Sequence, residues 1–414
     1  MSGTTSADVA ASADVVVVGA GTVGAWCAFF LERAGAGRVV VIDKRQAGQG
    51  ASSRAAGVVR GQGGTATAVR LGQWTQAFYR SQRAELGVDS GFVEQGYFLP
   101  CFTDAQVVAA RARMQMQNAL GLEVTWLDQG RAAQLNPTLA PGTHLGGTFA
   151  AVDGWITPAR NVAAYLVALA SRGIALREQV ACTGLELGSR GQVTGVRTTA
   201  GTIATGQVVL TGGPELAEVG ALAALAIPVG GARHQVAVTE PHPDLAAGRV
   251  PMVFDLPSGL YWRPEEGGLL FGMSNPAELP GPARTIDQDY LTRMRGRLGE
   301  LVPVTRDLGL RRVWAATIEY TPDHLPIIGP AVRPDGSGIL GATVACAAGH
   351  GMMWGPAVSR AAADLVLTGR TDVVDAALVG LDRFDENGYS RLPTDPIALP
   401  FPAAVGPAAR AANT

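Results

Sequence analysis

Lysine is almost missing from this sequence. Lys44 is the only one, although lysines and arginines together number 33 in 414 residues. Chemistry that calls for a lysine ammonium therefore has one candidate. Cysteine is sparse as well: Cys27, Cys101, Cys182 and Cys346 lie scattered, without metal-ligand or redox spacing. That argues against a disulfide framework or a thiolate metal site and fits a reduced cytoplasm. Charged residues make up only 16% of the chain and the net charge is −2, which gives no basic field for nucleic acid. No apolar stretch is long enough to span a bilayer, so no membrane insertion is expected. Residues 1–13 are small and polar with no basic region, so no targeting segment is expected either. What remains is 47% hydrophobic, enough for a large core and about two or three domain equivalents.

The most informative stretch is residues 15–43, VVVVGAGTVGAWCAFFLERAGAGRVVVID. Four valines, Val15–Val18, read as a strand buried on both faces, as in a parallel sheet. Gly19, Gly21 and Gly24 follow in the spacing G-x-G-x-x-G. A helical run then carries Val23, Trp26, Cys27, Phe30 and Leu31 on one side, and Gly35 and Gly37 end it. A second strand closes on Asp43. The first glycine allows the tight turn, the second lets a pyrophosphate approach, and the third lets helix and strand pack closely. The helix N-terminus favours phosphate, and an acid at the end of the second strand can accept ribose hydroxyls. An ADP-containing dinucleotide is expected; the acid disfavours a 2′-phosphate, so NADP is not.

The remaining chain divides by texture. Residues 46–64, rich in Gly, Ala and Ser, are too polar for a core strand and suit a backbone lying against a ligand. Helices are predicted over 69–86, 103–120, 158–172 (with Pro158 in its first turn), 287–298 and 352–367. Strands are predicted within 90–102 and over 174–180, 208–211 and 338–343, with a hairpin-like set across 185–204 and a proline-bounded loop at 135–141. Residues 229–318 alternate as an antiparallel sheet does. The segment from Pro393, rich in Pro and Ala, is expected to be loosely ordered.

Four stretches in order also carry a family pattern: VVVVGAGTVGAW (15–26), GASSRAAGVVR (50–60), WAATIEYTPDHLPIIG (314–329) and AAGHGMMWGPAVSRAAADLVLTG (347–369). GLYWRPEEGGLLFG (259–272) is a weaker fifth. In these the chain resembles the D-amino-acid oxidase superfamily of FAD-dependent oxidoreductases, in its sarcosine oxidase, dimethylglycine dehydrogenase and glycine oxidase branch. The resemblance implies FAD rather than NAD. It implies an α/β plus antiparallel β fold, with a Rossmann-like FAD-binding domain of the glutathione-reductase type assembled from 13–80, 148–215 and 325–380. A mainly antiparallel substrate domain would comprise 85–147 and 225–320, with a tail over 393–414.

On that resemblance the cofactor contacts are Gly19, Gly21, Thr22, Val23, Gly24, Asp43 and Lys44; Ser52, Ser53, Arg54, Ala56 and Gly57; Val180 and Gly212; and Gly349, His350, Gly351, Met352 and Met353. The last group opens a helix whose N-terminus can face the flavin's pyrimidine edge. His350 fits a structural or an electrostatic role equally. Candidate catalytic residues are Arg60, Tyr261, Arg263, Tyr320 and His350, with Glu319 and His324 in the same motifs. Arg60 matches an arginine that holds a substrate carboxylate in sarcosine oxidases, although it can equally pair with a phosphate or an acid.

Several family residues are replaced. Arg54 stands where some relatives attach FAD through histidine, and residues 317–320 lack the cysteine that others use, so non-covalent FAD is expected. Leu270 replaces the lysine that assists oxygen in monomeric sarcosine oxidases. Lys44 lies at the ribose end, and Arg263 is the alternative cation. Met353, Ser274 and Ile318 replace a clamp lysine, an active-site histidine and the glycine oxidase arginine. The expected reaction is oxidation of a carbon–nitrogen bond in a secondary or N-methylated amine or amino acid, with oxygen or another acceptor. A 2-hydroxy-acid dehydrogenase, a subunit of a larger amine dehydrogenase and a non-catalytic flavin-bound assembly protein stay open, as does an oligomer.

Overall fold

The structure, a computed structural model, describes residues 12–246, 250–282, 284–333, 335–400 and 402. Two large sheets organise it. In the first, six strands run in the order Ile327–Val332, Gly338–Cys346, Val208–Leu210, Val15–Val18, Val39–Asp43, Ala175–Glu178. All neighbours pair in parallel except the edge strand Ile327–Val332, which is antiparallel to Gly338–Cys346. Register places Val15 beside Val39 and Val16 beside Val208.

The valine run is explained by its two faces. Val15 and Val17 pack with Trp26, Phe29, Tyr165 and Ala361, under the helices Thr22–Arg33, Pro158–Ser171 and Gly351–Thr368. Val16 and Val18 pack on the other face with Leu185, Val196 and Ile203 of a three-stranded sheet. A strand covered on both sides has no polar face to alternate with.

The second sheet has eight strands in the order Leu310–Tyr320, Gly230–Thr239, Gly268–Met273, Leu260–Glu265, Met252–Asp255, Tyr97–Pro100, Gly147–Ala150, Thr125–Leu127. It is antiparallel apart from Met252–Asp255 against Tyr97–Pro100. Successive side chains take opposite faces. Ala237, Trp262 and Phe271 pack beneath the helix Gln288–Leu301 through Met294 and Leu298. Val236, Tyr261 and Leu270 form the opposite face. Among the described residues no helix is long and apolar enough to cross a membrane.

Two expectations need correction, and two further elements go beyond the sequence reading. Val58–Val59, inside the stretch read as too polar for a core strand, pairs with Gly154–Trp155, and Val59 is buried. The edge strand Ile327–Val332 and the helix Gln129–Leu135 were not anticipated. The segment from Pro393 is not loose over its described part. Ile397 is 0% exposed and Asp395 4%, and Asp395 N–H donates to the Asp323 carbonyl at 3.2 Å. Ile397 enters the cluster of Tyr97, Phe254 and Tyr261, and Leu399 packs against it, so apolar side chains dock a Pro/Ala-rich stretch. Residues 401 and 403–414 of that tail lie outside the described residues, as do residues 1–11 of the small polar start.

Candidate active site

A cavity of about 1220 Å³ lies between the carboxyl ends of the parallel strands and the Tyr261 face of the second sheet. Parallel α/β sheets bind ligands in this position. At one end is the glycine turn. Gly19 has φ +108°, and a Cβ at Gly24 would lie 1.9 Å from the Gly19 carbonyl oxygen. A Cβ at Gly21 would meet only Ser52 Oγ, at 3.3 Å, so this backbone stays open to a ligand. Thr22 N–H donates to Ser52 Oγ at 3.0 Å, tying the helix start to the second glycine-rich loop. Asn161 braces the first turns of that helix, donating to Thr22 Oγ1 at 3.1 Å and accepting from Trp26 Nε1 at 3.1 Å. Asp43 is held by N–H donors, Ala20 to Oδ2 at 2.8 Å and Arg45 to Oδ1 at 2.7 Å. A carboxylate has about four acceptor sites, so capacity remains for ribose hydroxyls.

The helix Gly351–Thr368 starts on the opposite wall. Among the described residues no side chain caps it, and a Cβ at Gly351 would meet nothing within 4 Å. Its N-terminal N–H groups and positive dipole end can receive a group that gains negative charge. His350 precedes it, with Nδ1 2.8 Å from the Ala348 carbonyl and its ring 4.1 Å from that of Trp354. Burial, with Arg60 nearby, lowers its pKa to about 3. The imidazole is neutral at pH 7, which leaves the helix terminus rather than a histidine cation as the positive element. Beside it lies Glu319, whose Oε1 accepts from Ala347 N–H at 3.1 Å and faces Cys346 Sγ at 3.6 Å. Burial raises this carboxyl's pKa, against the hydrogen bonds from Ala347, Cys346 and Gly349.

Over the other part of the cavity lie Arg60, Phe254, Tyr261 and His234. Arg60 is 4% exposed. It donates through Nη1 to the Gln62 carbonyl and through Nη2 to the Ile397 carbonyl, the latter at 2.9 Å. Buried Asp153 accepts from Gly61 N–H at 2.6 Å and from Gln62 Nε2 at 3.1 Å, and so fixes the segment that carries Arg60. His234 Nε2 lies 2.8 Å from Tyr261 Oη with the rings stacked. Burial lowers the His234 pKa to about 4.

Of the sequence-predicted site residues, Arg60, Tyr261 and His350 line the cavity, and so do all the cofactor candidates except Gly24 and Ser53. Gly24 sits behind the turn, where it permits packing, and Ser53 is exposed. Arg263 and Tyr320 are not on the wall. Arg263 donates through Nε to the Ala56 carbonyl at 2.8 Å and pairs with Glu265 at 2.5 Å, so its charge is spent below the loop it supports. Leu270, at the position of the oxygen-assisting lysine, is buried in the Tyr261 cluster. Lys44 pairs with Glu215 at 3.1 Å, as does Arg45 at 2.5 Å.

Sequence reasoning passed over Arg45, Glu215, Asn161, His234 and Leu399. The first two follow the strands Val39–Asp43 and Val208–Leu210, which flank Val15–Val18 but lie far apart in sequence, so no local pattern reports their meeting. His234 was legible only through strand register, which sets it opposite Ala316.

A family model described as FAD dependent oxidoreductase (DAO) matches residues 14–365. The chain is 27% identical over 389 residues to 4-methylaminobutanoate oxidase (formaldehyde-forming) of Paenarthrobacter nicotinovorans, covering 91% of this chain and 46% of that protein. It therefore spans about half the length of that relative. It is 30% identical over 366 residues to glycine oxidase of Geobacillus kaustophilus, covering 85% of this chain and 92% of that one. Among solved structures, L-proline dehydrogenase from P. horikoshii superposes with a TM-score of 0.83 at 25% identity, covering 91% of this chain and 98% of the other.

Proposed function

The chain belongs to the DAO family of FAD-dependent oxidoreductases, and from that premise we propose that it oxidises the carbon–nitrogen bond of a secondary or N-methylated amine or amino acid. The observation that carries the proposal is one continuous cavity, walled by Gly21, Asp43 and Gly351 at one part and by Arg60, Tyr261 and His234 at another. The first group fits FAD: an open glycine backbone for the pyrophosphate, a carboxylate for the ribose, and an uncapped helix start for the pyrimidine edge. The six-stranded sheet is then the cofactor domain, of the glutathione-reductase type, and the eight-stranded sheet the substrate domain. The fit supports non-covalent attachment, because Arg54 folds onto the Gly50 carbonyl at 3.1 Å and residues 317–320 hold no cysteine.

FAD, when bound, supplies the two-electron acceptor for the hydride that leaves the substrate's α-carbon. The chain's own residues orient and desolvate. Among the described residues Arg60 engages two of its five N–H donors, and with the others it binds a substrate carboxylate. Tyr261, Phe254 and Met353 form the wall that excludes water. The amine enters neutral, so no obligatory base is required, and the imine product hydrolyses after release. The relatives' names, with their N-methylamino acid, glycine and proline substrates, support this class.

The test is to add N-methyl amino acids, D- and L-amino acids, simple amines and 2-hydroxy acids to the purified holoprotein without oxygen, watching the visible flavin band. Bleaching by an amine is expected. Bleaching by hydroxy acids alone would overturn the reading.

A further inference from the structure

The family match ends at residue 365, yet the cavity wall does not. Leu399 lines it, packed against the cluster that holds Tyr261, Leu270 and Phe254 and against the pair Ala232 and Tyr320. Two residues earlier, Ile397 is fully buried, and its carbonyl takes the Arg60 Nη2 donor at 2.9 Å. The segment is anchored from both sides. Asp395 N–H donates to the Asp323 carbonyl at 3.2 Å, and Asp395 Oδ1 accepts from Ile397 N–H at 2.9 Å. Pro400 lies where a Cβ on Gly259 would come within 2.8 Å of its ring. A Cβ on Gly64 would lie 2.0 Å from Asp395 Oδ1 and 2.6 Å from Pro396 Cδ, so the glycine-rich loop has been kept bare for this segment to pass.

We propose that residues 395–400 are a specificity strap: the Ile397 carbonyl occupies one edge of the Arg60 guanidinium, and the Leu399 side chain sets how large a substituent fits beside a carboxylate held there. This deepens the amine-oxidation reading and rests on it for the substrate class, while the contacts themselves are independent of turnover. With part of the guanidinium committed to a backbone carbonyl, Arg60 meets a carboxylate through its remaining N–H groups. The planar, two-point grip of a free arginine is thereby reduced, and selection passes to the apolar wall. Met353 and Ile318, both apolar, lie on the same cavity. A pocket with one partly engaged cation and apolar sides discriminates by shape.

The test uses non-oxidisable carboxylates of rising bulk, acetate, propionate and benzoate, titrated into the holoprotein while the flavin spectrum is recorded. Leu399→Ala should raise the benzoate-to-acetate affinity ratio at least tenfold, and Leu399→Trp should lower it by a similar factor. Gly64→Ala, which displaces the strap from outside the cavity, should move the ratio as Leu399→Ala does. A ratio unchanged in both Leu399 variants, with FAD content and melting temperature retained, overturns the proposal. So does a parent protein whose spectrum no carboxylate perturbs. Failure of the amine reading would show elsewhere, as holoprotein that amines do not bleach, and would leave the titration interpretable.

Discussion

At the scale of single residues, Gly24 and Arg60 carry the sharpest expectations. An added carbon at Gly24 has the Gly19 carbonyl oxygen 1.9 Å away and Thr211 Oγ1 at 2.5 Å. Backbone cannot yield as a flexible side chain does, so Gly24→Ala should strip the protein of FAD, read as flavin per chain after purification. Arg60→Gln removes a charge-assisted contact worth about 1.5–3 kcal/mol. KM for an amino-acid substrate should rise about ten- to a hundredfold, while a substrate amine without a carboxylate is nearly unaffected; equal losses for both would contradict the carboxylate role. His234 tests the electrostatics of the buried wall. Its pKa in the fold is about 4, against 6.5 in the unfolded chain. Between those values the unfolded chain binds more protons, so stability falls as pH drops from 6.5 to 4, at about 1.4 kcal/mol per unit of pKa difference. Gln can still meet Tyr261 Oη but cannot titrate. His234→Gln should therefore flatten the melting-temperature profile across that window relative to the parent.

At the scale of elements, the segment linking the strand Gly338–Cys346 to the helix Gly351–Thr368 is held by one side chain from another sheet. Glu319 accepts from Ala347 N–H, and Ala348 sits at φ +50°, a left-handed position that a non-glycine residue keeps only when its surroundings fix it. Glu319→Ala leaves that donor unpaired and should cost about 1–3 kcal/mol. Glu319→Gln retains an acceptor and should cost less; a melting series on both variants checks the order. What could be read beforehand follows the same division. The valine strand, glycine turn and acid were legible because their spacing is local and each residue has a separate steric or hydrogen-bonding reason. The alternation of Tyr261 against Trp262 and Leu270 against Phe271 was legible as antiparallel sheet. Arg263 lies off the cavity wall, because its strand position turns it to Ala56 and Glu265 although its motif runs near the site. The strap escaped the sequence reading because its stretch is rich in Pro and Ala, and its packing rests on Ile397 and Leu399 together with prolines that seat against glycines remote in sequence.

At the scale of the molecule, no ammonium stands at the substrate end among the described residues. Lys44, the only lysine, is engaged by Glu215 at the ribose end, Arg263 is engaged by Glu265 off the wall, the buried histidines 234 and 350 are neutral, and the cationic side chains on the cavity wall beyond Lys44 are arginines, Arg60 and Arg284 among them. A site without a free ammonium beside the substrate is poorly equipped to stabilise the negative charge that oxygen acquires on reduction. We expect an artificial dye to reoxidise the reduced protein at least tenfold faster than air-saturated buffer does, measured by stopped-flow recovery of the flavin band. Faster recovery with oxygen would assign the protein to the oxidases.

The order of the six-stranded sheet also has a consequence for synthesis. Val15–Val18 lies between Val39–Asp43 and Val208–Leu210, with Gly338–Cys346 one place further out. As the chain leaves the ribosome, this valine strand gains Val39–Asp43 at once but must wait for Val208–Leu210, which follows only after the whole run of residues 44–207. Until then a valine-rich edge stands exposed, of the kind that pairs with other chains. The burden on chaperones is therefore written into the strand order, and slower synthesis at lower temperature should raise the soluble yield more than added cofactor does.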